Sequence, residues 1–304
     1  MVNNEHKPIR VCRNRKNLKG ISLGRIRIWW LCLSFLPALM LGGCGLEGVE
    51  GVEEKTQTIN GIDYWMQGNQ VAQISGKLTS RKILVMGDTH GCLQNHEKLI
   101  ARAPDDVDFV VLLGDYISLW NLRETHLDEI YGAIERAAKT GKPVFALNGN
   151  HDNQFVFEAI LADLAQTYPN VIDVRRLRKI DLKGVNFIGS PGGSDYTFIL
   201  NGFRTDTDSI EEIRKLEAEL ADGDPTIVLS HPFKEVDNLF YAHTHIRAAE
   251  DSLGNEIPAG QWTASLRFNP GAVSPDYVGC GIGSAGIVEV DPEKGMRYEY
   301  FSSE

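Results

Sequence analysis

The chain has 304 residues, 42% hydrophobic and 24% charged, with 31 Lys and Arg against 41 Asp and Glu. That is an ordinary globular composition, long enough to bury a substantial core in one large domain. The charge is uneven: eight of the bases but only one acid, Glu5, fall in residues 1–43, leaving a net charge of −17 from residue 44 onward. An acidic body repels phosphate backbones, which disfavours nucleic acid as a partner.

In chain order, the basic stretch leads into an apolar run over residues 28–40, then Leu41-Gly42-Gly43-Cys44. Positive, apolar and small-residue regions in that order are secretory-signal anatomy. The run is shorter than the ~20 residues that span a bilayer, and Pro37 interrupts it. Leu-Gly-Gly-Cys resembles the lipobox of bacterial lipoproteins. That resemblance implies removal of residues 1–43, acylation of Cys44, and a membrane-anchored lipoprotein on the periplasmic or cell-surface side. Only Cys92 and Cys280 then remain, enough for one bridge in an oxidising compartment but not for a disulfide scaffold. Residues 44–57, rich in Gly and Glu, read as a flexible solvated tether, and residues 58–304 as the folded domain.

Residues 62–74 alternate like strands around a Gly68-Asn69 turn. Apolar runs at 83–86, 109–113 and 144–147 each end in a Gly, Asp or Asn cluster. Helical periodicity follows, clearest at 127–138 and 155–165. Short strands are expected at 171–174, 180–182 and 185–188. An amphipathic helix follows at 209–220, capped by Asp208 or Ser209. Strands at 227–229 and 239–242 and a closing hairpin of 287–290 with 296–301 complete the chain. Strands alternating with helices predict a layered α/β domain with ligands at the carboxyl ends of the strands.

Eight histidines occur, and five of them, His90, His151, His231, His243 and His245, sit in short clusters after apolar strands. The clusters are Gly87-Asp88-Thr89-His90-Gly91, Gly114-Asp115, Gly149-Asn150-His151-Asp152, Ser230-His231 and His243-Thr244-His245. Carboxylate, imidazole and amide oxygen make a mixed donor set suited to Mn²⁺, Fe²⁺/Fe³⁺ or Zn²⁺. A shared Asp can bridge two such ions. Singly each cluster is a common turn; together and in this order they carry the signal.

The set resembles the calcineurin-like metallophosphoesterase superfamily across residues 82 to about 274, including the 27 positions from Asp88 to Asp115 and the 35 from Asp115 to Asn150. The resemblance implies an αββα sandwich of two mixed sheets flanked by helices. It implies two divalent metal ions, one held by Asp88, His90, Asp115 and His245, the other by Asp115, Asn150, His231 and His243. It further implies hydrolysis of phosphate mono- or diesters through a metal-bridging hydroxide, with His151 as general acid. Substrates would be phosphorylated small molecules or lipid-linked phosphates. Alternatives are a nucleotide or nucleic-acid phosphodiesterase, and a noncatalytic metal-stabilised binding module on the same fold.

Three departures stand out. Ser118-Leu119-Trp120 and Asp152 replace the Asp-Arg-Gly and Glu of the protein-phosphatase branch, which argues against that branch. Ala242 stands where the family has Gly. Only 12 positions separate His231 from His243, so recognition elements are expected in residues 190–224 or in the loop after Asp115. Around the motifs, Tyr116 and Trp120 read as core rather than mouth, Arg204 and Arg247 as solvated, Cys92 as a small buried residue, and His96 and His126 as surface. Asn269-Pro270-Gly271 resembles a structural turn of small family members.

Overall fold

The computed structural model describes residues 52–76, 81–118, 125–192, 208–220, 223–275 and 280–304. Two mixed sheets are stacked. The nine-stranded sheet runs, edge to edge, β1 (Val52–Ile59), β2 (Ile62–Gly68), β3 (Gln70–Ser75), β8 (Lys179–Leu182), β9 (Val185–Ser190), β10 (Thr226–Ser230), β11 (Leu239–Phe240), β13 (Arg267–Asn269) and β12 (Ala248–Glu250). The six-stranded sheet runs β15 (Gly295–Ser302), β14 (Ser284–Asp291), β4 (Lys82–Met86), β5 (Phe109–Leu112), β6 (Val144–Ala146) and β7 (Val171–Asp173).

Alternation within the buried strands sorts their side chains into layers. Ile83 and Val85 of β4, Val111 of β5 and Phe145 of β6 meet Phe187, Leu229 and Phe240 between the sheets. Leu84, Met86, Val110 and Leu112 face outward, under Leu99 of α1 (Leu93–Arg102), Ile130 and Ile134 of α2 (Thr125–Ala138) and Phe157 of α3 (Gln154–Thr167). On the opposite outer face, Ile213 and Leu216 of α4 (Ile210–Glu217) cover Ile188 and Val228. The result is the expected αββα sandwich. Ser209 caps α4 in a capping box with Glu212, as its position before two first-turn acids predicts.

β4 to β7 are parallel, as are β9, β10, β11 and β13. The carboxyl ends of both sets open on one edge of the sandwich, and that geometry gathers the motifs.

Two expectations are corrected. Residues 52–57 are not tether but the first six residues of β1, paired with β2. The misreading has a physical cause: β1 is an edge strand whose side chains at 53–56 are exposed, so polar residues replace the apolar alternation. His96 is not at the surface but fully buried in α1. The proposed signal segment, Cys44, tether residues 44–51, Trp120, Arg204, much of the loop after Asp115 and most of 190–224 lie outside the described residues.

Candidate metal centre

Every proposed ligand leaves the end of a strand. Asp88 and His90 follow β4, Asp115 follows β5, Asn150 and His151 follow β6, His231 follows β10, and His243 and His245 follow β11. Five of the seven proposed ligands, Asp88, His90, Asp115, His243 and His245, have φ between 42° and 69°. Left-handed backbone is costly for side chains other than glycine, and such strain gathers at functional sites. Here it is held by a ladder between neighbouring turns. Asp88 N–H donates to the Gly114 carbonyl at 3.1 Å, His90 N–H to Asp115 at 3.0 Å, and Gly91 N–H to Tyr116 at 2.7 Å. Close approach also demands glycine: a Cβ on Gly149 would stand 2.1 Å from Asp115 Oδ1, and one on Gly114 2.2 Å from Gly149 N.

The side chains converge in two groups. Asp88, His90 and His245 present donor atoms within 4.8 Å of one another, and so do Asp115, His231 and His243. His90 Nε2 and His245 Nε2 are 3.0 Å apart, and His245 Nε2 is 3.6 Å from Asp88 Oδ1. In the second group Asn150 Oδ1 lies 2.9 Å from His231 Nε2 and 3.0 Å from His243 Nδ1, while Asp115 Oδ2 is 3.1 Å from His231 Nε2.

The protons of two rings are already placed. His90 Nδ1 is 3.1 Å from the Ile117 carbonyl and His231 Nδ1 is 2.8 Å from that of Leu113, so each Nδ1–H donates outward and leaves Nε2 facing the site. Lone pairs facing lone pairs at 3 Å require a cation or an added proton between them. This donor set fits divalent metal ions, and two candidate metal-binding groups are present.

Electrostatics carry the same message. Burial pushes Asp88 up to about 8, reinforced by Asp115, and pushes His90 down to about 4. Burial opposes ionisation of Asp115, but His231 and His151 outweigh it and hold that carboxylate below its ordinary range. The same pairing with Asp115 overcomes burial at His231, raising it to about 9. Buried acids and imidazoles here share too few protons, the state that a dication relieves.

His151 is adjacent but makes no approach to the two groups as a ligand. Its backbone N–H donates to Asp115 Oδ1 at 2.8 Å, and its Nε2 is 3.6 Å from Asp115 Oδ2, beyond a hydrogen bond. Its side chain remains 15% exposed, open to a substrate.

The surrounding residues hold the turns in ways the sequence leaves partly open. Asp152 turns away from His151. Its carboxylate accepts from the backbone N–H groups of Asp115 (2.8 Å), Gly149 (2.9 Å) and Tyr116 (2.9 Å), clamping two ligand turns together. Buried Asn269 donates to the Ala242 carbonyl and Thr244 Oγ1, both at 3.0 Å, and fixes the His243–His245 turn. Its place before Pro270-Gly271 was the available signal. Ala242 is accommodated because its partner is Gly87, where a Cβ would lie 2.6 Å from that of Ala242. Tyr116 belongs to the core, stacked on Phe157 and donating to the Leu147 carbonyl at 3.0 Å. Arg247 is exposed and donates to Ser284 Oγ.

Residues 81–255, more than half of the chain, match the family model of the calcineurin-like phosphoesterases. The chain belongs to that family. Among solved structures, this calcineurin-like phosphoesterase is similar to the TT1561 protein of Thermus thermophilus, with 16% identity and a TM-score of 0.52 over 74% of this chain and all of that one. A conserved protein of Streptococcus pneumoniae described as a predicted phosphoesterase aligns at 16% identity and TM-score 0.32, covering 74% and 99% of the two chains. The phosphopantetheinyl hydrolase of Mycobacterium tuberculosis aligns at 11% and 0.37, covering 64% and 91%. No curated protein matches the chain.

Proposed function

We propose that this phosphoesterase is a dinuclear enzyme that hydrolyses phosphate mono- or diesters outside the cytoplasm, held to a membrane by lipid on Cys44. The observation that carries the dinuclear reading is the pair of converging donor groups, Asp88–His90–His245 and Asp115–His231–His243. Asp88, His90 and His245 would hold one divalent ion and Asn150, His231 and His243 the other, with Asp115 shared. Ions bound there would neutralise phosphate charge and acidify water.

The protein's own part is positioning and proton delivery. Water oxygen bonds to phosphorus as the ester P–O bond breaks; the leaving alkoxide takes a proton from His151, and the proton given up by the attacking water passes to solvent, which restores His151. His151 Nε2 lies 3.6 Å from Asp115 Oδ2 on a partly exposed side chain, beside the shared carboxylate and within reach of a leaving oxygen. The Cys92–Cys280 bridge supports an oxidising compartment, in keeping with the signal-like leader. The acidic body supports small or lipid-linked phosphates over nucleic acid.

The chain from Glu47 onward should release product from a generic phosphate monoester or diester with Mn²⁺. Failure on both, with two metals bound, would replace this reading by the metal-stabilised binding module. His151→Ala should retain both metals and lose about 10²- to 10⁴-fold in turnover. The loss should be smallest for esters with good leaving groups; equal loss for all would remove the acid role.

A further inference from the structure

The edge that carries the metal centre is also where the chain enters the fold. β10 runs toward His231; β9 is parallel to it, β8 antiparallel to β9, β3 parallel to β8, β2 antiparallel to β3, and β1 antiparallel to β2. β1 therefore runs away from the centre, and Val52 stands opposite Gly68 at the β2–β3 turn, on the metal-bearing edge. Gln57, five residues along, donates to the Pro169 carbonyl just before β7 enters from the far edge. Seven residues separate Cys44 from Val52, a reach of at most roughly 28 Å at ~3.5 Å per step.

Apolar exposure is concentrated on the same edge. Of six large apolar side chains exposed among the described residues, four lie there: Phe155 in the first turn of α3 after β6, and Phe233, Ile246 and Ile282 in the loops after β10, after β11 and before β14. Ile74 and Leu253, at the ends of β3 and β12, are on the opposite edge. Four exposed apolar side chains gathered on one edge offer surface to an apolar partner. A net charge of −17 beyond residue 43 opposes adsorption to anionic lipid, so apolar contact must supply the attraction.

We infer that the metal centre faces the bilayer and that its substrates are phosphate esters of membrane lipids. This rests on the phosphoesterase and Cys44-lipid readings above. The P–O bond to the lipid alcohol breaks as water oxygen bonds to phosphorus; one water proton ends on the alcohol and the other on phosphate or solvent. The tether confines the centre to the surface where such esters lie, and the apolar rim meets the acyl region beside the headgroup.

The test uses the full lipidated chain with Mn²⁺ in phosphatidylcholine vesicles containing phosphatidic acid and phosphatidylglycerol. Hydrolysis of at least one vesicle lipid should exceed that of its acyl-free counterpart by at least roughly tenfold in kcat/KM, through confinement at the surface. Phe155→Trp and Ile246→Trp should each add fluorescence that brominated phosphatidylcholine quenches, and Leu253→Trp should add fluorescence that it does not. Equal quenching at all three positions, or an unmodified Cys44 by mass spectrometry, would overturn the orientation. Acyl-free esters cleaved as fast as vesicle lipids, or alone, would overturn the lipid substrate while leaving the phosphoesterase intact. If neither is cleaved with two metals bound, the phosphoesterase reading falls and takes this inference with it.

Discussion

Asp115 and Asp152 are both buried carboxylates of the centre, and their surroundings give them different duties. Asp115 faces His231 and His151 and stays ionised; Asp152 faces three backbone N–H groups, and burial beside Asp115 pushes it up to about 7. Asp115→Asn should lower bound metal below two ions per chain, read by elemental analysis, because the amide removes the shared charge. Asp152→Asn should retain the metals yet cost about 1–3 kcal/mol in urea unfolding, since its NH₂ must meet a backbone donor. The two variants separate holding the ions from holding the turns. In the sequence, the residues that converge here were legible as clusters, because metal coordination favours Asp, Asn and His at the ends of strands. Asp152's role was not, since a clamp on backbone N–H groups has no spacing rule. Nor was the Gly87–Ala242 exchange of a missing Cβ for an extra one, which links residues 155 positions apart.

Among the elements, strands with continuous apolar runs, β4, β5, β6 and β10, stand where the pattern placed them. β12 and β13, three residues each, carry no period at that length and are made by pairing alone. α1 presents the sharper lesson. His96 sits among charged neighbours in sequence, yet its side of the helix faces inward, with Nδ1 3.4 Å from Thr89 Oγ1. Burial, with Arg136 nearby, pushes His96 down to about 3. An unfolded histidine titrates near 6.5, so below that pH the unfolded chain takes up a proton that the folded chain refuses. Stability present above about pH 6.5 is therefore lost on acidification toward 3, at up to about 1.4 kcal/mol per unit. With both proteins stripped of metal, His96→Gln should lose about 2 kcal/mol less than the parent between pH 7 and pH 5 in urea unfolding. Equal losses would mean that His96 is protonated in the fold.

Among the described residues, one covalent link closes the folded domain. Cys92 precedes α1 directly after the first ligand turn, and Cys280 leads into β14; their Cα atoms are 5.4 Å apart and 188 positions distant in sequence. Around them, Asn95 Nδ2 donates toward the carbonyls of Val273 and Cys280, and the Val273 and Ser274 N–H groups donate to Gly87 and Asp88. The closing segment of the chain thus braces the opening ligand turn. The double variant Cys92→Ser/Cys280→Ser should lose about 2–5 kcal/mol of stability, read as a lower urea midpoint. The fold class and the layer order could be read from the alternation of strands and helices. The bridge could not, because two cysteines so far apart give no local signal.

That bridge sets an order of events for biosynthesis. The thiol of Cys92 leaves the ribosome 188 residues before the thiol that completes it, a wait of roughly 10–40 s at ~5–20 residues per second. Were residues 1–43 removed and Cys44 acylated, as proposed, no third thiol would compete for either partner. Maturation would then need an oxidant but no disulfide isomerase, and the covalent brace beside the first site turn forms only after residue 280 has been delivered.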